Sequence, residues 1–352
     1  MLTYIIKNKH STLFIIDEPD IYLHSDLQRQ LLGILKNLGP DIIIAIHSTE
    51  LISETEINDI LIINKHNQSA RRIKNPLELQ KIFDVLGSNL NPILTQIAKT
   101  RGVLFVEGKD FLLFSRFARK LKLEHVANRS DFAVIPVEGF NPFRLKVFKE
   151  GIERTIGTSI LSAVIFDRDY RSDEEIDEEE IELKKDNYFV HIHSNKELEN
   201  FLIIPIHLRQ TINKRIEELN LKTGKEVAFD EDMNQILENI TEDFKIKIQS
   251  QLQAKRIPYE KKLNKHLDDS TIFAKLLKDF EEKWKEVNHR FKIIPGKEFL
   301  SCLNEYLQKN YSITISQTNI INNISPSEFP KEMKELLIKI DNFRKASVIN
   351  NQ

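Results

Sequence analysis

The feature that most constrains this chain is an apolar run that ends in acid, and it occurs more than once. Val103-Leu104-Phe105-Val106 leads into Glu107-Gly108-Lys109-Asp110, and Ala163-Val164-Ile165-Phe166 leads into Asp167-Arg168-Asp169. Short continuous runs rich in β-branched and aromatic residues read as strands buried on both faces, the condition of strands in a parallel sheet. In open parallel sheets, sites are built at the carboxyl ends of the strands, where these acids stand. Further runs at residues 132–139 and 188–193 are separated from these by helical patterns at 111–121 and 143–157. Four strands alternating with helices predict an α/β fold, a small doubly wound parallel sheet over residues 101–206.

Asp167 and Asp169 are two apart, so an unbroken strand would project both to the same side. If the two strands are neighbours, Glu107 joins them, and three converging carboxylates repel one another unless a cation lies between them. Oxygen-only ligands suit Mg²⁺ or Mn²⁺. Such a centre activates water at neutral pH and stabilises a leaving oxyanion, which is what phosphodiester hydrolysis needs. A lone D-x-D is more often a turn or helix cap, and it is the pairing with Val106-Glu107-Gly108 that favours metal. Glu138-Gly139 follows Pro136-Val137 and reads as a turn and helix start. His191 and His193 alternate along the last strand and could bind metal, but no Cys or third His is nearby, which favours packing or substrate contact.

Residues 1–75 carry a second pattern. A run at 11–19 ends in Asp17-Glu18-Pro19, a run at 41–48 ends in His47-Ser48, and Leu23, Leu27, Leu31, Leu32, Leu35 and Leu38 lie between them at helical spacing. Residues 59–64 and 70–73 read as a hairpin, and 76–100 as a helical connector interrupted at Asn91-Pro92. Asp17-Glu18-Pro19 with Tyr22-Leu23-His24 and a strand-terminal His47 resembles the Walker B strand, D-loop and switch histidine of ATP-binding-cassette ATPases. The resemblance implies that Asp17 holds Mg²⁺ through water, Glu18 orients the attacking water and His47 contacts the γ-phosphate of ATP. No G-x-x-x-x-G-K-S/T loop occurs in the sequence. Residues 1–75 are therefore expected to be the carboxyl half of such a domain, binding ATP only when completed by a P-loop-bearing chain or a missing amino-terminal segment. A relic half-sheet that supports the next domain is the other reading.

The Glu and D-x-D strand ends resemble the Toprim fold. Together with the ATPase half and with Lys196-Glu197-Leu198-Glu199-Asn200 downstream, residues 1–205 resemble the overcoming-lysogenization-defect (OLD) family of ATP-dependent nucleases. This implies that Glu107, Asp167 and Asp169 bind one or two divalent cations, that Glu197 or Glu199 completes the shell, and that Lys297 of Pro295-Gly296-Lys297 stabilises the scissile phosphate. It also implies cleavage of nucleic acid, DNA before RNA, in phage defence, by a homo-oligomer. Relatives often carry a second acid where this chain has Phe111; Asp110 is the available substitute. An RNA-cleaving effector and a non-catalytic scaffold of an ATPase complex are the alternatives.

The 352 residues carry 51 basic and 53 acidic side chains, a net charge of −2, so any surface for nucleic acid must be local. Residues 207–352 read as a helical extension, broken near Thr223-Gly224 and Ile257-Pro258. Lys245, Lys247, Lys255, Arg256, Lys261, Lys262 and Lys265 around Tyr259 could follow a phosphate backbone, although solvated charged helices commonly look the same. The acidic stretch 172–186 reads as a solvated loop or helix. Helices are expected from 298 to 309 and through Leu336, Leu337 and Ile340. A single Cys302 excludes an internal disulfide, and no membrane-length apolar stretch or signal peptide is seen, so the expectation is a cytoplasmic protein without membrane contact.

Overall fold

The computed structural model describes residues 13–19, 23, 25–36, 41–46, 51–52, 55, 59–64, 69–72, 92–108, 110–137, 142–224 and 226–349. The chain forms two units, Met1–Thr100 with Asn128–Ser130, and Arg101–Ala127 with Asp131–Gln352.

In the first unit, β1 (Leu13–Asp17), α1 (Ser25–Lys36) and β2 (Asp41–Ala45) follow one another, and the strands pair in parallel with Leu13 opposite Asp41 and Asp17 opposite Ala45. Phe14, Ile16, Ile42 and Ile44 pack against Leu31 and Leu35 of α1. The opposite face, with Leu13, Ile15 and Ile43, is exposed. These strands are thus covered on one face, where the sequence pattern predicts burial on both. β3 (Leu61–Asn64) and β4 (Ser69–Arg72) make the antiparallel hairpin, Leu61 opposite Arg72. α2 (Pro92–Thr100) begins at Pro92, whose missing N–H costs nothing in the first turn. Residues 73–91, Tyr22, His24 and His47 lie outside the described residues.

The second unit runs β5 (Gly102–Glu107), α3 (Phe111–Lys120), α4 (Glu124–Ala127), β6 (Ala133–Val137), α5 (Pro142–Ile156), β7 (Leu161–Phe166), α6 (Asp173–Lys184) and β8 (Phe189–Ile192). Its sheet has the order β6-β5-β7-β8, every pair parallel. In β5 and β7 the residues 103–106 and 163–166 are each at most 1% exposed, which is why both runs are apolar without alternation. Burying each of the Val, Leu, Ile and Phe side chains among them contributes about 1.5–3 kcal/mol, so this pair of strands anchors the unit.

After β8 come a 3-10 turn (Leu198–Leu202), α7 (Pro205–Thr223), α8 (Met233–Asp243), α9 (Lys245–Leu263), α10 (Asp269–Trp284), α11 (Val287–Ile293), α12 (Gly296–Tyr311), α13 (Gln317–Asn323) and α14 (Lys331–Ile349). α7 stops at Gly224, whose φ of 68° favours glycine. α9 runs through Pro258, where the sequence predicts a break. Ion pairs on either side of the proline, Lys255 to Glu175 and Lys262 to Glu178, link both halves of α9 to α6.

These helices and the sheet share one apolar core, in which Leu104, Val106 and Ile165 join Leu208, Phe299, Leu336 and Ile340. α14 approaches β5 so closely that a Cβ at Gly102 would meet Ser347 Oγ at 2.5 Å. No helix among the described residues is long and apolar enough to cross a membrane.

Candidate functional site

β5 delivers Glu107 to the carboxyl edge of the sheet, and Gly108 turns the chain at a φ of 52° into the start of α3. Asp110 stands at the helix N-cap, yet its side chain makes no capping hydrogen bond. It is 7% exposed and feels the charges of Lys297, Glu199 and Glu107. Phe111 is an anchor instead, its ring edge-on to Phe114 at 6.3 Å and to Phe132 at 5.8 Å. Beside Glu107, the buried acid at the start of α3 is Asp110.

β7 ends at Phe166, one residue before the D-x-D. Asp167 is 5% exposed; its N–H donates to Glu107 Oε2 at 3.2 Å, and its Oδ1 accepts from the Leu198 N–H at 3.0 Å. The strand conformation does not persist to Asp169, which has a φ of 51°. The condition for projecting both aspartates to one side, an unbroken strand, therefore fails, although the Asp169 charge still acts on Glu107. The Asp169 carboxylate stands beside Arg171 Nη1 at 3.6 Å and Lys196 Nζ at 3.8 Å, and its N–H donates to Lys196 O at 3.0 Å. Arg171 is itself buried and donates to the carbonyls of Asp167 and Arg168, both at 3.1 Å, so it shapes this loop.

The 3-10 turn separates the two glutamates that follow. Glu197 caps it: Asn200 Oδ1 accepts the Glu197 N–H at 2.9 Å, while Glu197 Oε2 accepts the Lys297 N–H at 3.2 Å and Oε1 pairs with Lys196. Glu199 turns toward the acids. Its Oε1 accepts from Gln317 Nε2 at 3.2 Å and lies 3.7 Å from Lys297 Nζ, whereas its Oε2 is buried with no hydrogen-bond partner. Lys297 also lies 3.8 Å from Asp110 Oδ1. Gly296 makes this approach possible, since a Cβ there would stand 3.0 Å from Asn200 N, Asn200 Oδ1 and Glu199 Cβ. Asn200 Nδ2 ties the turn to α11 and its end by donating to Phe291 O at 2.7 Å and Ile294 O at 2.8 Å.

The electrostatics follow from burial among like charges. Burial first, then Asp110 and Glu107, pushes Asp167 up to about 9. Burial raises Asp110 to about 7 and moves Glu107 and Glu199 in the same direction. Burial works against the charge of Lys297, but Glu199, Asp110 and Asp167 more than compensate and raise its pKa. In this cluster the carboxylates outnumber the cations, so it takes up protons or a cation. The all-oxygen donor set and the orphaned Glu199 Oε2 fit a hard divalent cation.

No family model matches the chain, and no curated protein matches it.

The lysines of α9 do not form an open stripe. Lys245 pairs with Glu281, Lys247 with Glu298, Lys255 with Glu175, Lys261 with Asp269 and Lys262 with Glu178. Arg256 instead braces the loop after the D-x-D, donating to Tyr170 O at 2.9 Å and Arg171 O at 3.3 Å. In the first unit, Asp17 is exposed at the end of β1, and the Glu18 N–H donates to Ala45 O at 2.9 Å. The third member of that set, His47, is outside the described residues. Arg171 carries no motif signal, and Asn200, although part of the Lys196–Asn200 stretch, has no role that the stretch announces. Their roles depend on carbonyls and acids that the fold alone brings within reach.

Proposed function

We propose that this chain is a metal-dependent phosphodiester hydrolase that cuts DNA, a nuclease of the OLD-like ATPase and Toprim type acting in phage defence. The observation that carries the reading is the convergence of Glu107, Asp110, Asp167 and Glu199 with Lys297 at the carboxyl edge of a parallel sheet. Glu107, Asp110, Asp167 and Glu199 would hold one or two Mg²⁺ or Mn²⁺ ions. A cation bound there supplies Lewis acidity, lowering the pKa of a water and neutralising charge on the phosphate. Lys297, kept protonated by the acids around it, offers its ammonium to a phosphate oxygen. Asp169 and Lys196 steady the loop behind Asp167 through their shared contact.

The exposed face of β1 and β2, with Ile15 and Ile43, supports a further part of the proposal. A P-loop-bearing chain or segment covers that face and completes an ATP site with Asp17, Glu18 and His47. ATP then regulates cleavage without performing it.

One observation favours a second, non-catalytic reading: the Asp169 carboxylate stands beside the cations Arg171 and Lys196, which compete with a metal ion for it. The deciding experiment exposes supercoiled plasmid and a structured RNA to the chain with Mg²⁺ or Mn²⁺, without ATP, beside Asp167→Asn. Metal-dependent cutting of plasmid, absent in the variant, is expected. Cutting of RNA alone moves the substrate class, and no cutting of either polymer overturns the nuclease reading in favour of a scaffold.

A further inference from the structure

Away from the acid cluster, the last strand of the sheet meets the last helix. His191 lies on β8, His193 follows it, and Glu332 stands in the first turn of α14. Among the described residues, these three form the trio of possible ligands whose donor atoms all lie within 4.8 Å of one another. Glu332 Oε1 is 3.1 Å from His191 Nε2 and 3.6 Å from His193 Nδ1. Donor atoms around a tetrahedral zinc ion stand about 3.3 Å apart, given bonds of about 2.0–2.1 Å. The two spacings bracket that value.

His193 is the second, independent observation. It is 1% exposed, and neither ring nitrogen makes a hydrogen bond. Its ring lies 5.9 Å from Phe114 and 5.5 Å from Phe201, apolar walls that leave Glu332, 3.6 Å from Nδ1, as its polar neighbour together with His191. Burial keeps the imidazole neutral, its pKa moved down to about 4, and neutral is the form that ligates metal. Glu332 is oriented in turn: the Ser194 N–H donates to Oε1 at 2.9 Å and the Ser194 hydroxyl donates to Oε2. Such support of a ligand by neighbouring donors is characteristic of built metal centres. The carboxylate is partly exposed, which leaves an approach from solvent.

We propose that His191, His193 and Glu332 form a second metal site, one that takes a divalent ion of the zinc class and clips β8 to α14. The mixed nitrogen and oxygen donors select against the hard ions suited to the acid cluster. Because the His193 backbone N–H donates to Phe166 O at 3.0 Å, the clip fixes the chain where it leaves the sheet toward Glu197 and Glu199.

The test uses the full chain, stripped with chelator and kept in excess Mg²⁺, titrated with Co²⁺ by visible absorption and with Zn²⁺ by calorimetry. About one equivalent of Co²⁺ in a four-coordinate spectrum, displaced by Zn²⁺, is expected for the wild type and equally for Asp167→Asn. His191→Ala and Glu332→Gln should each weaken Zn²⁺ binding on the order of a hundredfold. If His191→Ala fails to fold by circular dichroism, the isosteric Glu332→Gln decides. Absence of the Co²⁺ spectrum in the wild type, or a spectrum and affinity unchanged in Glu332→Gln, overturns the proposal.

Discussion

Asp167 is a carboxyl group with almost no water around it, facing Asp110 and Glu107, and it keeps its proton until the pH nears about 9. In the unfolded chain it ionises near the ordinary value of about 3.9. Between those limits the folded state binds more protons than the unfolded, so stability falls as pH rises, by up to about 1.4 kcal/mol per pH unit for one proton. With chelator present, the melting temperature should decline from about pH 5 toward pH 9, with Asp110 adding to the lower part of the window. Asp167→Asn keeps an acceptor for the Leu198 N–H and removes the charge, so it should flatten the decline. Mg²⁺ at high pH should raise the melting temperature of the wild type and leave that of the variant unchanged. Thermal unfolding across pH checks all three, and a wild-type profile already flat in chelator contradicts the burial argument.

At the scale of elements, the site depends on how closely α12 approaches the 3-10 turn. Gly296→Ala places a methyl 3.0 Å from Asn200 and Glu199 atoms, so the 3-10 turn and the helix must part by a few tenths of an ångström. A cost of about 1–3 kcal/mol is expected, with loss of metal-dependent cleavage, because Lys297 moves with the helix. Asn200→Ala strands the buried carbonyls of Phe291 and Ile294, at about 1–3 kcal/mol for each group left unsatisfied. Urea denaturation measures both, and an effect below about 0.5 kcal/mol would mean the turn is held some other way. The strands β5 and β7 and the acids at their ends are legible in the sequence because every signal is local: an unbroken apolar run, then a carboxylate. The D-x-D misleads because periodicity presumes that the strand continues, and a positive φ at Asp169 leaves no mark in composition. The choice of Glu199 over Glu197 was open for a similar reason. The two differ in what Lys297 offers them: its backbone N–H meets Glu197, while its ammonium faces Glu199.

At the scale of the molecule, charged helices after residue 206 read as an extension, yet they bury the same core as the sheet. Local patterning cannot show this, since an amphipathic helix looks alike whichever surface it covers. Gly102→Val should drive β5 from Ser347 of α14 and cost at least about 1–3 kcal/mol. In urea, the fluorescence of Trp284, buried on α10, should change together with loss of amide protection in β5 and β7. Separate transitions would restore two independent bodies. Glu332 was invisible to the sequence for the same reason of distance, since its partners His191 and His193 lie 141 and 139 residues earlier. The most direct measurement is Mn²⁺ binding by electron paramagnetic resonance to the wild type, Asp167→Asn and His191→Ala. Binding that survives in His191→Ala and disappears in Asp167→Asn is the result predicted for an acid cluster built to hold a hard cation. Binding unchanged in Asp167→Asn, or none in the wild type, would contradict it.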